Sequence, residues 1–450
     1  MMFFSNRTRR LEFLLAALLV SGVVGLAQAP TQPYAAINRD AVTYAGPGRD
    51  AGHDLAGAAI KIGFLAPLQG PRKAEGDALL RAAQLALEDE ASNPLPDGRR
   101  LALAIRDESG PWGRASSEIA RLVFDDQAVA LITSADGGAA HLAEQISNKI
   151  GVPVLTLSTD KTTTQINLPW IFRLGPSDET QARAFAYNIY RERGLKRVVL
   201  VTERDHDGRV GGEEFEKAAS EVRNLGASSS PRKPSNVPTP VRVVLDTVLP
   251  NLASAVKEMQ QAEALVFWTG PETAAKLLAQ VRALSPSVPI YLCRKAAQGS
   301  VLPTLTPAES AARTFRSAAV DAPPGPKPAD SEGQDAATLA QTSRSAEHLS
   351  PAGQSPGGIW IVVSGLGDTA ARESLARRYQ ERFACPLTLA AAQAYDAVRI
   401  IAAAFRHSGP NRARLRDAFA QLSSFAGVSG IISFDHAGNN PAPVALVQLP

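Results

Sequence analysis

At 450 residues the chain is too long for one compact domain and suits two or three. A hydrophobic content of 45% excludes a disordered chain, and a mean hydropathy of −0.08 excludes a multi-span membrane protein. Two cysteines exclude a disulfide scaffold, and a net charge of +3 gives no electrostatic reason for a nucleic-acid partner.

The N-terminus reads as an export signal. Arg7, Arg9 and Arg10 precede an apolar run at 13–26, which is shorter than a comfortable membrane span. Small residues then offer cleavage after Ala29 (A-Q-A, ahead of Pro30) or after Ala27 (G-L-A). No cysteine lies here, so a lipoprotein anchor is not expected, and removal of residues 1–29 leaves a nearly neutral chain. Residues 30–58 are rich in Pro, Gly and Ala without periodicity, an extended lead-in.

From residue 59 strands and helices alternate. IKIGFLAPL (60–68), LALAIRD (101–107), VALIT (129–133) and VPVLTL (152–157) read as strands. Between them, helical spacing is carried by Leu79, Ala83, Ala86 and Leu87, by Ile119, Leu122 and Val123, and by Ala139, Leu142, Ala143, Ile146 and Ile150. Such alternation implies parallel strands with right-handed crossovers. A second series begins near Pro176, where Ser177 is a candidate N-cap and Asp178 and Glu179 suit the positive end of the helix dipole. Strands are predicted at 197–202, 241–249, 264–268 and 288–292, with helices between them. Residues 300–356 break the rhythm with APPGPKPADSEGQ and SPAGQSPGG. They hold too little apolar surface to offset ordering entropy, and so read as a mostly flexible insertion. Strand IWIVVS (359–364) resumes the order, followed by helices near 375–383, 391–405 and 415–422, and a closing β-hairpin from VSGIISFD and PAPVALVQL.

Five stretches carry a family resemblance: IKIGFLAPLQGP with the helix AEGDALLRAAQLALEDE, VPVLTLSTDKTTT, FRLGPSDETQARAFAYNIY, AYDAVRIIAAAF and FAGVSGIISFDHAGN. In this order they resemble the leucine/isoleucine/valine-binding family of periplasmic substrate-binding proteins, components of ABC importers. The resemblance covers the chain from about residue 59 to the end, apart from 300–356. It implies an α/β fold of the type I periplasmic binding protein class, two doubly wound parallel-sheet lobes joined by a three-segment hinge. Lobe 1 would be 59–176 plus 366–428, and lobe 2 would be 177–365 plus 429–450. It further implies an exported, monomeric, non-catalytic protein, located in the periplasm. Such a protein would close on a small polar, amino-acid-like solute and present it to a permease in the inner membrane. A signalling or scaffold protein that reuses the fold for a protein partner is the alternative.

Ligands in such sheets sit beyond the carboxyl ends of the strands. In the first lobe this points to Asp136, Gly137 and Gly138, where the family has a Ser-rich turn for a ligand carboxylate and the glycines can still offer bare N–H groups. A plain tight turn is the other reading of those three residues. It points next to Ser158, Thr159 and Asp160, with Asp160 standing at the family's threonine. In the second lobe the family's aromatic position falls near Asp207, and its acidic partner of the ligand ammonium falls near Arg294, a reversal of charge. The changes at Asp160 and Arg294 are open to three readings: a zwitterion bound in reverse, a different polar ligand, or an Asp160–Arg294 pair across the closed cleft. Gly175, Gly365 and Gly367 fall where the chain should cross between lobes and are the expected hinge residues.

Other signals are weaker. Gly365-Leu-Gly367 imitates a dinucleotide fingerprint, but no acidic residue on a following strand completes it. Asp205-His206-Asp207 imitates a chelating DxD turn, the basis of a third, glycosyltransferase-like reading. No second acidic cluster supports it, and the six histidines lack HxxxH spacing, so neither a metal nor a cofactor is expected. Cys293 and Cys385 fall in different lobes, where a bridge would oppose hinge motion; two free thiols are expected. Trp268 ends a strand of the second lobe and is a candidate to line the cleft.

Overall fold

The computed structural model describes residues 43–50, 59–111, 113–165, 170–224, 238–246, 252–300, 314–315, 357–364 and 367–449. The expected export signal, nearly all of the 300–356 insertion and Gly365 lie outside the described residues.

The first series runs β1 (Ala59–Ala66), α1 (Lys73–Ala91), β2 (Arg100–Asp107), α2 (Arg114–Phe124), β3 (Ala130–Thr133), α3 (Gly137–Ile150), β4 (Val154–Thr156), the single turn α4 (Thr162–Gln165) and β5 (Ile171–Arg173). The second continues with α5 (Asp178–Tyr187), ending in a π-turn at Asn188–Glu192. It then runs β6 (Val198–Glu203), α6 (His206–Asn224), β7 (Val241–Leu245), α7 (Leu252–Met259), β8 (Ala264–Trp268), α8 (Pro271–Leu284) and β9 (Ile290–Leu292). After β10 (Thr314–Phe315) and β11 (Ile359–Ser364) come α9 (Thr369–Phe383), α10 (Leu389–Ser408), α11 (Arg412–Ala420), β12 (Phe425–Ala426), β13 (Ile431–Ile432) and β14 (Val444–Leu449).

Two separate large sheets result. One is parallel throughout, ordered β2-β1-β3-β4-β5. The other is ordered β10-β14-β11-β9-β8-β6-β7, parallel from β11 to β7, with β14 antiparallel to β11 and β10 antiparallel to β14. Both faces of the first sheet are buried, as parallel sheets require. Alternate side chains Ile60, Ile62 and Phe64 enter the core shared with α1 and α10, while Leu65, Leu131 and Val154 enter the core against α2 and α3. The second sheet has its own core around Phe185, Phe215, Trp268, Tyr291 and Trp360. Two sheets with distinct cores make two lobes.

The expected N-cap at Ser177 is formed, its hydroxyl accepting from the Thr180 N–H at 3.1 Å. The closing hairpin is corrected. Ile431–Ile432 pairs with Phe425–Ala426, and Val444–Leu449 crosses to the other sheet, beside β11. Ile432 and Phe434 belong to the core of the first lobe, so its chain continues past residue 428 and the third crossing falls between 434 and 444. The first and third crossings are tied together by buried Arg173. Its backbone N–H donates to the Gly438 carbonyl at 2.8 Å, and its guanidinium reaches the Asp160 carbonyl at 3.0 Å and the Asn439 side chain. At the second crossing Gly367 takes a φ of +59°, and a Cβ there would run into the Gly427 carbonyl. The buried carboxylate of Asp396, on α10, holds the neighbouring turn by accepting the N–H groups of Val428 at 2.9 Å and Ser429 at 2.7 Å.

Candidate functional site

Strand order reverses between β1 and β3 in one sheet and between β6 and β8 in the other, and crevices open beyond the carboxyl ends of strands at such points. The two crevices face each other and share a cavity of about 720 Å³. From the first lobe it is lined by Arg72 after β1, Glu108 after β2 and Asp136 after β3. From the second it is lined by Glu203 ending β6, Gly270 after β8 and Lys295 after β9.

The first-lobe wall is an ion cluster around one arginine. Arg72 donates to Glu75 at 2.9 Å, Asp136 at 2.9 Å and the Ser134 hydroxyl at 3.2 Å, and lies 3.3 Å from Glu108. Asp136 also caps α3, accepting the Ala139 N–H at 2.8 Å. Burial pushes the Glu108 carboxyl up to about 8 despite the attraction of Arg72. One Glu108 oxygen takes the Ser134 hydroxyl at 2.6 Å; the other is buried without a hydrogen-bond partner.

On the second-lobe wall, Glu203 accepts from the Gly270 N–H at 2.6 Å and from the Thr273 hydroxyl. Lys295 is buried, and its ammonium bridges Asp205 at 3.1 Å and Asp207. Burial works against that charge, but Asp207 and Asp205 outweigh it and hold the ammonium well above its ordinary range.

The lobes meet through several polar contacts beside the cavity. The Gly137 N–H donates to Asp207 at 3.1 Å, and the Thr159 hydroxyl donates to Asp178 at 2.8 Å. Lys161 reaches Glu179 at 3.1 Å and Glu214 at 2.8 Å. His206 Nε2 lies 2.6 Å from Asp160 Oδ2. The Asp160 carboxyl would be raised by burial, yet the hydrogen bonds from His141 and His206 hold it far below the usual carboxylate range.

Asp136 and Gly138 line the cavity directly. Gly137 is turned to Asp207, and a Cβ on it would collide with that carboxylate. Ser158 is buried, its hydroxyl accepting the Asp160 N–H at 3.2 Å. Thr159, Asp160 and Asp207 take part in the contacts between lobes rather than lining the cavity. Arg294 is 1% exposed and absent from the cavity lining. Its guanidinium donates to the Val362 carbonyl at 3.1 Å, its Nε has no partner, and it packs near Gly175. The pairing of Asp160 with Arg294 is therefore corrected: His141 and His206 hold Asp160, and Arg294 lies beneath the crossing segments. Trp268 is likewise buried, its indole N–H 3.3 Å from Asp178. Cys293 and Cys385 are free thiols.

Sequence reasoning overlooked Arg72, Glu108, Glu203, Lys295 and His141. Arg72, Glu108, Glu203 and Lys295 had a usable signal, since each stands at or just after the carboxyl end of a predicted strand. His141 had none, because its contact with His206 is set by the meeting of the lobes.

Two lobes wound in this way, hinged by three crossings around a charged cleft, define a solute-binding fold of the type I periplasmic class. The family model for periplasmic binding proteins matches residues 59–293, and the chain belongs to that family. It is 30% identical over 141 residues to Leu/Ile/Val-binding protein homolog 7 of Brucella abortus, a match covering 31% of this chain and 34% of that protein. The chain thus spans about a third of the length of that curated relative. Its fold is similar to a leucine-binding protein from Thermotoga maritima (TM-score 0.62, 19% identity, covering 87% of this chain and 95% of the other). It is also similar to a branched-chain amino acid substrate-binding protein from Streptococcus pneumoniae solved with isoleucine (0.63, 18%, 87% and 96%). A solute-binding protein from R. palustris solved with benzoate is another structural relative (0.65, 19%, 87% and 93%). Among the described residues no helix is long and apolar enough to cross a membrane.

Proposed function

We propose that this chain is an extracytoplasmic solute receptor that captures a small polar, amino-acid-like molecule between its lobes and delivers it, as a monomer, to the permease of an ABC importer. The observation that carries this reading is the cavity of about 720 Å³ at the two facing switch points, lined by anions and cations from both lobes. Arg72 and Lys295 suit a carboxylate, and the unpartnered oxygen of Glu108, whose carboxyl burial holds protonated up to about pH 8, suits a hydrogen-bond acceptor of the solute. Arg72 and Lys295 are already engaged by carboxylates. Solute would reach them by displacing protein partners, and selectivity would follow from that exchange.

One observation favours the signalling or scaffold reading: Asp207 already occupies the Gly137 N–H at the start of α3, where a ligand carboxylate would be received. Thermal unfolding of the purified chain against amino acids, amides and small carboxylates, isoleucine and benzoate included, separates the two. A true ligand stabilises by about 2.7 kcal/mol at a hundred-fold excess over its dissociation constant. A screen without any shift, joined to calorimetry without heat, would leave only the scaffold reading.

A further inference from the structure

We propose that His141, Asp160 and His206 form a binding site for a single divalent transition-metal ion, zinc being the best match, that bridges the two lobes outside the solute cavity. His141 lies on α3 and Asp160 in the loop after β4, both in the first lobe; His206 opens α6 in the second. Sixty-five residues separate the two histidines, so no spacing motif announces the site. Folding brings one donor atom of each side chain within 4.8 Å of the others. Asp160 Oδ2 lies 3.1 Å from His141 Nε2 and 2.6 Å from His206 Nε2, and the two rings stand nearly perpendicular, 5.1 Å apart. Neighbouring ligands around a tetrahedral ion with bonds of about 2.0–2.2 Å stand roughly 3.3–3.6 Å apart; the His141–Asp160 pair is close to that, and rotation of the His206 ring would open its present hydrogen-bonding distance to Asp160 as an ion enters.

The donor chemistry is specific. Two imidazoles and a carboxylate select zinc and its late first-row neighbours over calcium or magnesium, which prefer an all-oxygen shell. Three protein donors leave a fourth position for water or a solute group. Asp160 is fully buried while the His141 and His206 side chains are 21% and 34% exposed, so an ion can enter from the histidine side and meet a desolvated carboxylate.

An independent observation comes from behind the site. Glu144 Oε2 lies 3.6 Å from His141 Nδ1, on the ring nitrogen away from Asp160, and is buried without a hydrogen-bond partner. A metal on Nε2 fixes the proton on Nδ1 and turns it toward such a carboxylate, the outer-shell arrangement by which proteins orient a ligating histidine. The Thr162 hydroxyl, 2.6 Å from His141 Nε2 and 2.8 Å from Asp160 Oδ1, would keep only its bond to Asp160 Oδ1 as the ion takes Nε2. With ligands on both lobes, an ion here binds the closed arrangement and not the open one.

Titration of the metal-free chain with zinc, against a chromophoric chelator, tests the site. Tight binding of one equivalent is expected. It should weaken in His206→Ala and in His141→Ala by more than the roughly 10–100-fold typical of losing an outer partner, and in Glu144→Gln by about 10-fold. Cobalt in place of zinc should give visible absorption of a nitrogen- and oxygen-ligated site in the parent and none in His206→Ala. Melting curves of the metal-free variants show whether they are folded, and the cobalt spectrum of Glu144→Gln, which keeps all three donors, provides a readout if either alanine variant fails to fold. No zinc binding by the parent chain would overturn the proposal, as would one equivalent bound unchanged in both histidine variants. The three side chains would then be a hydrogen-bonded clasp alone. Solute binding is scored separately, since the metal donors do not line the cavity.

Discussion

Asp207, in the second lobe, accepts the backbone N–H of Gly137, in the first, at 3.1 Å. The start of α3, the point best suited to receive an anion from the cleft, is met by a carboxylate of the protein's own opposite lobe. The lobes therefore meet one another directly at this point. Gly137 is required for this contact, since a Cβ would occupy the space of the Asp207 carboxylate. Gly137→Ala should hold the lobes apart without unfolding either core. Small-angle scattering should give a larger radius of gyration than the parent at equal melting temperature; an unchanged radius would remove Asp207 as a closing contact.

Lys295 stands between Asp205 and Asp207 in a buried position. Removing the cation leaves the buried Asp207 carboxylate uncompensated, with Asp205 beside it. Lys295→Met should cost about 3–5 kcal/mol in urea unfolding, the range for breaking a buried pair. Adding Asp207→Asn should restore part of that loss, because the repulsion falls when one charge is removed. A double variant as weak as the sum of the single ones would show that the two groups act independently.

Glu108 gives the cleft a pH dependence with a definite sign. Burial raises its carboxyl to about 8, so the folded chain holds this proton more tightly than the unfolded chain does. Unfolding then releases a proton over the window from the ordinary carboxyl range to about pH 8. The contribution to stability falls as pH rises through that window, by at most about 1.4 kcal/mol per pH unit. Glu108→Gln keeps an acceptor for the Ser134 hydroxyl and has nothing to titrate. Its stability relative to the parent should therefore increase from pH 5 to pH 8. A constant difference across that range would show that the Glu108 proton is not held by the fold.

Gly367 tests the second crossing. Its φ of +59° and the nearby Gly427 carbonyl leave no room for a side chain. Gly367→Ala should lose at least about 1 kcal/mol from the left-handed backbone alone, with the steric conflict added. The loss is expected in chemical unfolding at neutral pH, and a stability equal to the parent's would mean that the crossing relaxes freely.

Much of this architecture was legible in the residues. Strands such as Val198–Glu203 open on a run, Val198 to Val201, that is apolar along both faces because parallel sheets bury both, and the helices between them show one apolar stripe. The cap at Ser177 was local chemistry, read correctly from a hydroxyl followed by two acids. The closing segment was misread because VSGIISFD and PAPVALVQL both have strand character, and a short loop between two such runs imitates a hairpin. What separates them is a crossing between lobes, which leaves no periodic trace.

By itself, the order of apolar strands and striped helices determined two βα-wound halves, the family they resemble and the strand ends at which a cleft had to open. That is because burial periodicity and turn chemistry act over a few neighbouring residues. Only the tertiary structure decided which charged groups meet. Arg294 is directed under the crossings while its neighbour Lys295 enters the cleft, and His206 leaves its flanking aspartates to join His141 and Asp160. Those partnerships depend on side-chain direction and on the docking of one lobe against the other, and electrostatic contact between residues distant in the chain is set by that geometry alone.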